Sequence, residues 1–535
     1  MPVLELKAES LGRVEGELDV SVKIDDGRVI DAWTEGTMFR GFEIILRGKD
    51  PQAGLIMTPR ICGICGGSHL TKASYALDTA WRTELPPNAN LVRAIAQASE
   101  TVQSIPRWFY ALFAIDLINK KYAKSKYYAE AAKRWTPFVG THYEPGVTLS
   151  NKPVEIYAIF GGQWPHSSFM IPGGVMCGPT LSDVTRARSI LEYFKKEWIE
   201  KWWLGCSIER YMQIKTWEEL LAWCDENESQ HNSDLAFFIR YARDVGLDSF
   251  GQGCGRYLTY GTYYHPDHFR FPSIEGRAKA VMSQSGIYDG KQFHEFDQAR
   301  VREDHTHSFF KGGAQLHPFD GVTDPIDPEQ GRKQGKYTWA KAPRYDIPGF
   351  GLAPMEVGTY ARGVMCGKPN PEKHQDSDPL MWDIHRKIGP SVMTRVLSRV
   401  HEGPKLIERI RGWLDAIKLN DKFYIKPTEH REGQGFGGTE ASRGALGDWI
   451  KIKNGKIENY QVITPTAWNI GPRDGQSVKG PMEQAIVGAP IHDPNDPIEL
   501  GHVVRSFDSC LVCTVHAYDA RTDRELARFK VGGVC

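Results

Sequence analysis

The chain has 535 residues, and its 66 lysines and arginines balance its 66 aspartates and glutamates, so no surplus charge selects a nucleic acid or an anionic membrane surface as partner. That length buries a sizeable core, as about three domains or one unusually large one. The richest apolar run, Trp108 to Ile118, is interrupted by Asp116 and falls short of the roughly eighteen residues of a membrane span. The start Met1-Pro2-Val3-Leu4-Glu5 lacks the basic, apolar and small-residue order of an export signal, which points to a soluble protein made in the cytoplasm.

In chain order, apolar and polar residues alternate from Glu17 to Ile24, Asp26-Gly27 marks a turn, and Val29 to Trp33 completes an amino-terminal hairpin. Asn88 to Asn119 reads as a long helix broken or kinked at Pro106, and Ser182 to Leu204 as a helix with a serine cap. Trp198, Trp202 and Trp203 share one face of the latter, and core or partner packing accounts for them better than a cofactor. Residues 251 to 376 are rich in glycine, proline, histidine and tyrosine. Their His265, His268, His305 and His307 read as solvated loop residues, because no cysteine or carboxylate pattern completes a metal site. Pro390 to Lys418 forms one or two helices interrupted at Gly403-Pro404, and a second hairpin turns at Asn454-Gly455, between Trp449-Ile450-Ile452 and Ile457-Tyr460-Val462. The run Gly433-Gln434-Gly435-Phe436-Gly437-Gly438 satisfies the dinucleotide-binding pattern, but no strand-helix-strand unit frames it, so no dinucleotide site is expected.

Ten cysteines are too few and too scattered for a disulfide scaffold, and four of them form two Cys-x-x-Cys pairs. Cys177, Cys206, Cys224, Cys254, Cys366 and Cys535 stand apart and read as small core residues. The pairs lie in Arg60-Ile61-Cys62-Gly63-Ile64-Cys65-Gly66-Gly67-Ser68-His69 and in Asp508-Ser509-Cys510-Leu511-Val512-Cys513-Thr514-Val515-His516. Thiolates suit soft or borderline metals, and a two-residue gap lets both sulfurs of a pair face one centre. Each pair alone also fits a thioredoxin-like redox motif or half of a structural zinc site. If all four share one centre, both ends of the chain fold into a single integrated domain.

The two cysteine stretches together resemble the paired signature of nickel-iron hydrogenase large subunits. Gly12-Arg13-Val14-Glu15-Gly16, Arg40-Gly41-Phe42-Glu43, Phe109-Tyr110 to Asp116, Glu440 to Leu446 and Pro465-Thr466-Ala467-Trp468-Asn469 extend the resemblance over nearly the whole chain. Phe39 to Leu70 and Ile105 to Lys121 are most similar to the uptake enzymes of cyanobacteria and actinobacteria. The resemblance implies an α+β fold, a mainly helical integrated core with small peripheral hairpins and sheets over 1–516. It also implies a processing peptide, 517–535, removed by an endopeptidase after maturation factors have inserted the metals.

By the same resemblance Cys62 and Cys510 would bind nickel terminally, while Cys65 and Cys513 would bridge it to an iron carrying two cyanides and one carbon monoxide. Arg443 and Thr466 would hold the cyanides, and His69 would be a hydrogen-bonding neighbour of the ligands. Glu43 and His516 would ligate magnesium or a similar ion. Asp116 and Asp508 would position Arg443 by charge-assisted bonds. The sequence departs from the family pattern at Ser442 and Ser509, where proline is frequent, and at Glu17 and Asp448, where histidine is. None of these removes a metal ligand.

Dihydrogen has no charge and little polarity, so it must be split unevenly, with a proton passing to a nearby base. Cys510 is the candidate base and Glu15 the onward carrier; Arg443 is the rival base, although a guanidinium stays protonated. Since no second cysteine cluster remains for an iron-sulfur centre, electrons would leave through an iron-sulfur small subunit, and membrane association would come only through such partners. Three other readings use the same residues: a structural zinc protein, a quinone-reaction module related to respiratory-complex subunits, and a hydrogen sensor. The four cysteines argue against the second, and the residues after His516 argue against the third.

Overall fold

A computed structural model describes residues 3–14, 16–266, 270, 272–274, 276, 280–313, 315–367 and 376–510. The expectations on Glu15, His268, Cys513, His516, Cys535 and the tail 517–535 lie outside the described residues.

The core is helical. Pro87–Trp108 packs against Asn151–Gly161 and Val392–Ala416. One apolar cluster runs from Leu18 to Phe507, so the two ends of the described chain share a core. Pro106 does not break its helix; the winding changes after it, to a wider π turn over Phe109–Phe113 and then a tighter turn over Ala114–Ile118. Likewise Pro404 lies inside a single 25-residue helix rather than dividing two. In both helices burial on several sides holds the turn together despite the missing donor. The helix expected from Ser182 begins one residue earlier, at Leu181. Its cap is Thr180, which exchanges hydrogen bonds with Asp183 in a capping box. After Phe194 this helix widens over Lys195–Leu204, and the buried Trp198 and Trp203 stack at 5.2 Å as core residues.

Both expected hairpins form, and each gains a third strand. Leu4–Ser10 joins Leu18–Asp25 and Arg28–Gly36 in an antiparallel meander. Gly433–Ala441 joins Gly444–Lys453 and Lys456–Ile463 in another. Asp26-Gly27 and Asn454-Gly455 all have positive φ, as tight two-residue hairpin turns require.

The glycine run is therefore a strand, and its glycines serve close packing. A Cβ at Gly433, Gly435 or Gly437 would lie 2.7, 1.9 or 1.9 Å from the backbone oxygens of Ala80, Ala76 and Lys72. Two strand residues advance about 6.7 Å and four helix residues about 6 Å, so every second glycine meets every fourth carbonyl of the helix Gly66–Ala80. This is how the sheet reaches the helix that follows the first cysteine pair.

Two loop expectations need correction. His305 is buried against the Phe310 ring, and burial, reinforced by the Lys341 charge, pushes its pKa down to about 3. Cys177 is exposed and Cys206 and Cys254 are half-buried; among the described isolated cysteines only Cys224 and Cys366 are core residues.

Candidate metal centre

Cys62, Cys65 and Cys510 come together in the buried interior, all three sulfurs within 4.8 Å of one another and Cys62 Sγ 3.5 Å from Cys510 Sγ. Phe42 and Ile61 pack around them. A buried set of soft donors of this kind suits a thiophilic transition metal. Among the described residues it is the only group of three or more cysteine, histidine or carboxylate side chains gathered closely enough to share an ion.

Cys65 occupies the position before the helix Gly66–Ala80, yet its side chain does not cap the helix. Glu100, from the helix Pro87–Trp108, does that work. It accepts from Gly67 N at 2.7 Å, Ser68 N at 2.8 Å and Ser68 Oγ at 2.8 Å, and Trp164 Nε1 donates to it at 3.1 Å. The helix donors are thereby satisfied without the Cys65 sulfur. Burial raises Glu100 to about 7, against the pull of these bonds. Gly67 is needed here, because a Cβ would lie 2.5 Å from the Tyr157 ring and 2.7 Å from Glu100 Oε2.

Arg443 arrives on the hairpin turn between Gly433–Ala441 and Gly444–Lys453, a turn buried rather than exposed. Gly444, at φ 122°, lets that turn press against Gly358, whose backbone nitrogen would be 2.5 Å from a Cβ. Arg443 Nε donates to the Asp508 carbonyl at 3.0 Å and Nη2 to its carboxylate at 3.1 Å, while Nη1 is buried with no hydrogen-bond partner among the described residues. Burial works against the guanidinium charge. Asp508, Cys510, Cys65 and Cys62 outweigh that penalty and hold its pKa well above the ordinary value. Asp508 is shifted upward by burial, against the charges of Arg399 and Arg443.

Asp116 is placed differently from expectation. It pairs with Arg505 Nη1 at 2.6 Å and with Arg13, and these two cations, not Arg443, are its partners. They outweigh burial and keep it below the usual carboxylate range. Arg13 also donates to Leu112 O, so the Gly12-to-Gly16 loop is tied to the segment that carries Asp116.

Thr466 Oγ1 accepts from Cys510 N at 2.9 Å, which fixes the backbone at Cys510 and leaves the hydroxyl proton to donate elsewhere. His69 is buried on the helix after Cys65, and burial, with Lys72 one turn on, drives its pKa well below the usual imidazole value. Asp448, one of the departures from the family pattern, pairs with Lys72 and accepts from Tyr460 Oη at 2.5 Å, all three buried. The lysine neutralises the carboxylate at a position where histidine needs no such partner.

Glu43 lies in the first turn of Phe42–Leu46, where its carboxylate accepts from Val462 N at 2.9 Å, from Lys341 Nζ at 2.9 Å and from Thr323. Gln461 Oε1 at 2.7 Å and Glu303 at 3.4 Å complete the ring around Lys341 Nζ. Burial raises Glu303 to about 7, a rise that Lys341 opposes and Glu43 reinforces. This is an oxygen-rich cluster of the kind hard divalent ions use, with a lysine supplying the positive charge. Beside it a small pocket of about 60 Å³ is lined by Phe39, Phe42, Glu43, Ile61, Trp339 and Lys341, and Ile61 is the chain neighbour of Cys62.

The sequence reading missed Glu100, Lys72, Arg399 and Arg505. Their one signal was a charge placed among apolar residues of a helix, as at Arg395 and Arg399 in Val392–Ala416.

Comparison with known families identifies the one to which the chain belongs. Residues 40–140 and 120–516 match the family described as nickel-dependent hydrogenase. The chain belongs to that family. It is 31% identical to the periplasmic NiFeSe hydrogenase large subunit of Desulfomicrobium baculatum, over 98% of this chain and 96% of that one. To the uptake hydrogenase large subunit of Bradyrhizobium diazoefficiens it is 30% identical, over 97% and 96%. A solved structure of the D. baculatum NiFeSe hydrogenase superposes with a TM-score of 0.79 at 30% identity, covering 96% of this chain and 99% of that one. Nickel and iron are thus the metals of the family, and the fold is the α+β fold of its large subunits. No helix among the described residues is long and apolar enough to cross a membrane.

Proposed function

We propose that this hydrogenase large subunit works in the direction of hydrogen oxidation, with the roles of its residues assigned as follows. The observation that carries the reading is the gathering of three cysteine sulfurs within 4.8 Å beside a buried guanidinium whose Nη1 has no partner among the described residues. Cys62, Cys65, Cys510 and Cys513 would hold the nickel and iron. When bound, the metals supply a Lewis-acidic, redox-active centre that polarises dihydrogen and takes up its electron pair. Cys510 accepts the proton released, and Glu15 takes it onward toward solvent. Arg443 stays protonated, which favours electrostatic positioning over a role as base. Its Nη1 and the Thr466 hydroxyl are the donors for the two cyanides on iron, which also carries one carbon monoxide. His69 hydrogen-bonds beside the ligands, and Asp508 orients Arg443. Asp116 acts one step further out, through Arg13 and Arg505. Glu43 and His516 would hold a magnesium-type ion, which the oxygen-rich surroundings of Lys341 support.

Electrons leave through an iron-sulfur small subunit. Supporting this, the described residues hold no other gathered group of three or more cysteine, histidine or carboxylate donors, and the relatives above are named as large subunits. Maturation factors insert the metals, and an endopeptidase cuts between His516 and Ala517. The family match ending at residue 516 supports that cut. The cytoplasm is the proposed compartment, tested by cell fractionation because a relative is periplasmic by name.

The deciding experiment is infrared spectroscopy with metal analysis on the purified complex. Iron-bound carbon monoxide and cyanide bands, stoichiometric nickel, and loss of turnover in Cys510→Ser are expected. Stoichiometric zinc without nickel, and no hydrogen oxidation, would overturn the reading. Intact mass decides the tail, since an active, nickel-loaded chain should end at His516.

A further inference from the structure

Two guanidinium groups, not one, converge on Asp508. Arg443 holds its Oδ1 and its carbonyl, and Arg399, from the middle of the helix Val392–Ala416, brings Nη1 to 2.7 Å from Oδ2. All three residues are buried. Arg399 makes no hydrogen bond in good line through Nε or Nη1, so its hold on Asp508 is mainly electrostatic. Its guanidinium lies over the face of Trp108, 4.8 Å from the ring centre. Trp108 is itself pinned, its Nε1 donating to the Arg505 carbonyl at 3.0 Å. Arg399 therefore sits between a fixed aromatic face and one carboxylate oxygen, with the repelling charges of Arg443 and Arg362 nearby.

We propose that Arg399 is a positioning residue of the metal centre: by holding the second oxygen of Asp508 it turns the first toward Arg443, which keeps Arg443 Nη1 unengaged beside Cys62, Cys65 and Cys510. Without Arg399, Asp508 has two oxygens to offer and one cation to satisfy. Arg443 would then swing to engage both and withdraw Nη1 from the centre. The cost falls on turnover rather than on hydrogen binding, because Arg399 touches neither substrate nor ligand.

The proposal rests on the hydrogenase reading, and the test separates the two. The purified complex is compared with Arg399→Met, Arg399→Lys, Asp508→Asn and the double variant R399M/D508N. Nickel content, kcat, KM for hydrogen and the g-values of the oxidised nickel centre by electron paramagnetic resonance are measured. Arg399→Met should keep its nickel, lose about 10- to 100-fold in kcat with KM within about twofold, and shift the g-values in the same sense as Asp508→Asn. In the Asp508→Asn background the same substitution should cost less than about twofold, because its route of action is already gone. Arg399→Lys should recover part of the rate. If Arg399→Met fails to accumulate, Arg399→Lys carries the same comparison, with a smaller loss that again vanishes in the Asp508→Asn background. A rate and a spectrum like the parent's, or equal losses with and without Asp508, would overturn the proposal. A parent complex without nickel or hydrogen oxidation would instead overturn the functional reading.

Discussion

The two three-stranded meanders share a topology and a turn chemistry but not a role. In the amino-terminal one the middle strand Leu18–Asp25 alternates buried and partly exposed residues, and the outer strand Leu4–Ser10 is mostly exposed. In the one over Gly433–Ile463 nearly every residue of the first two strands is buried, on both faces. The first sheet behaves as a cover held by apolar side chains. The second is a structural member, clamped to the helix Gly66–Ala80 by glycine-to-carbonyl contact and by the Lys72–Asp448 pair, and its hairpin turn delivers Arg443. Sheets of one topology can thus be separated by what faces them.

The largest effect is expected from Gly437→Val, whose Cβ would meet Lys72 O at 1.9 Å with only backbone to move. Little soluble, nickel-loaded protein should result, and a normal yield with full nickel would show that the clamp is dispensable. Lys72→Met comes next. It strands Asp448 as a buried charge, at a cost of about 3–5 kcal/mol read from the denaturant midpoint, and K72M/D448L should recover most of it. If the single variant costs under about 1 kcal/mol, the pair does not lock the sheet.

A smaller, pH-dependent effect belongs to the cover. Glu483 accepts from Thr34 N at 3.2 Å and from Tyr337 Oη at 2.7 Å, which ties the strand Arg28–Gly36 to the core, and burial raises it to about 7. Its contribution should be full below the unfolded carboxylate value of about 4.3 and lost as pH rises through about 7. The unfolding midpoint of Glu483→Gln should therefore stay level over that window relative to the parent's, and identical slopes would remove the argument. Smallest of all, Ile24→Val in the cover should cost about 1 kcal/mol and leave nickel content unchanged.

What could be read in the sequence followed turn and cap chemistry. Asp26-Gly27 and Asn454-Gly455 fixed both hairpins because positive φ is a local demand. Gly433–Ala441 was not legible as a strand, since glycine weakens strands locally and only the approach of a helix some 350 positions away rewards it. Pro106 and Pro404 misled for the same reason in reverse, tertiary packing outweighing a local break. At the centre, the cysteines, Arg443 and Asp508 were readable through family motifs. Asp116 was expected to hold Arg443 and Asp448 was noted only as a departure, because Arg505 and Lys72 lie in stretches that carry no motif of their own and nothing local links Arg13 to Asp116.

Cys62 and Cys510 are 448 positions apart in sequence and 3.5 Å apart in space. A ribosome adding about 5–20 residues per second therefore leaves the first pair waiting roughly 20–90 s for the second. During synthesis the nascent chain displays an incomplete thiol set, and a product that stalls anywhere before Cys510 never acquires the full one. The sulfurs of Cys62 and Cys510 can therefore meet only in a chain translated past Cys510.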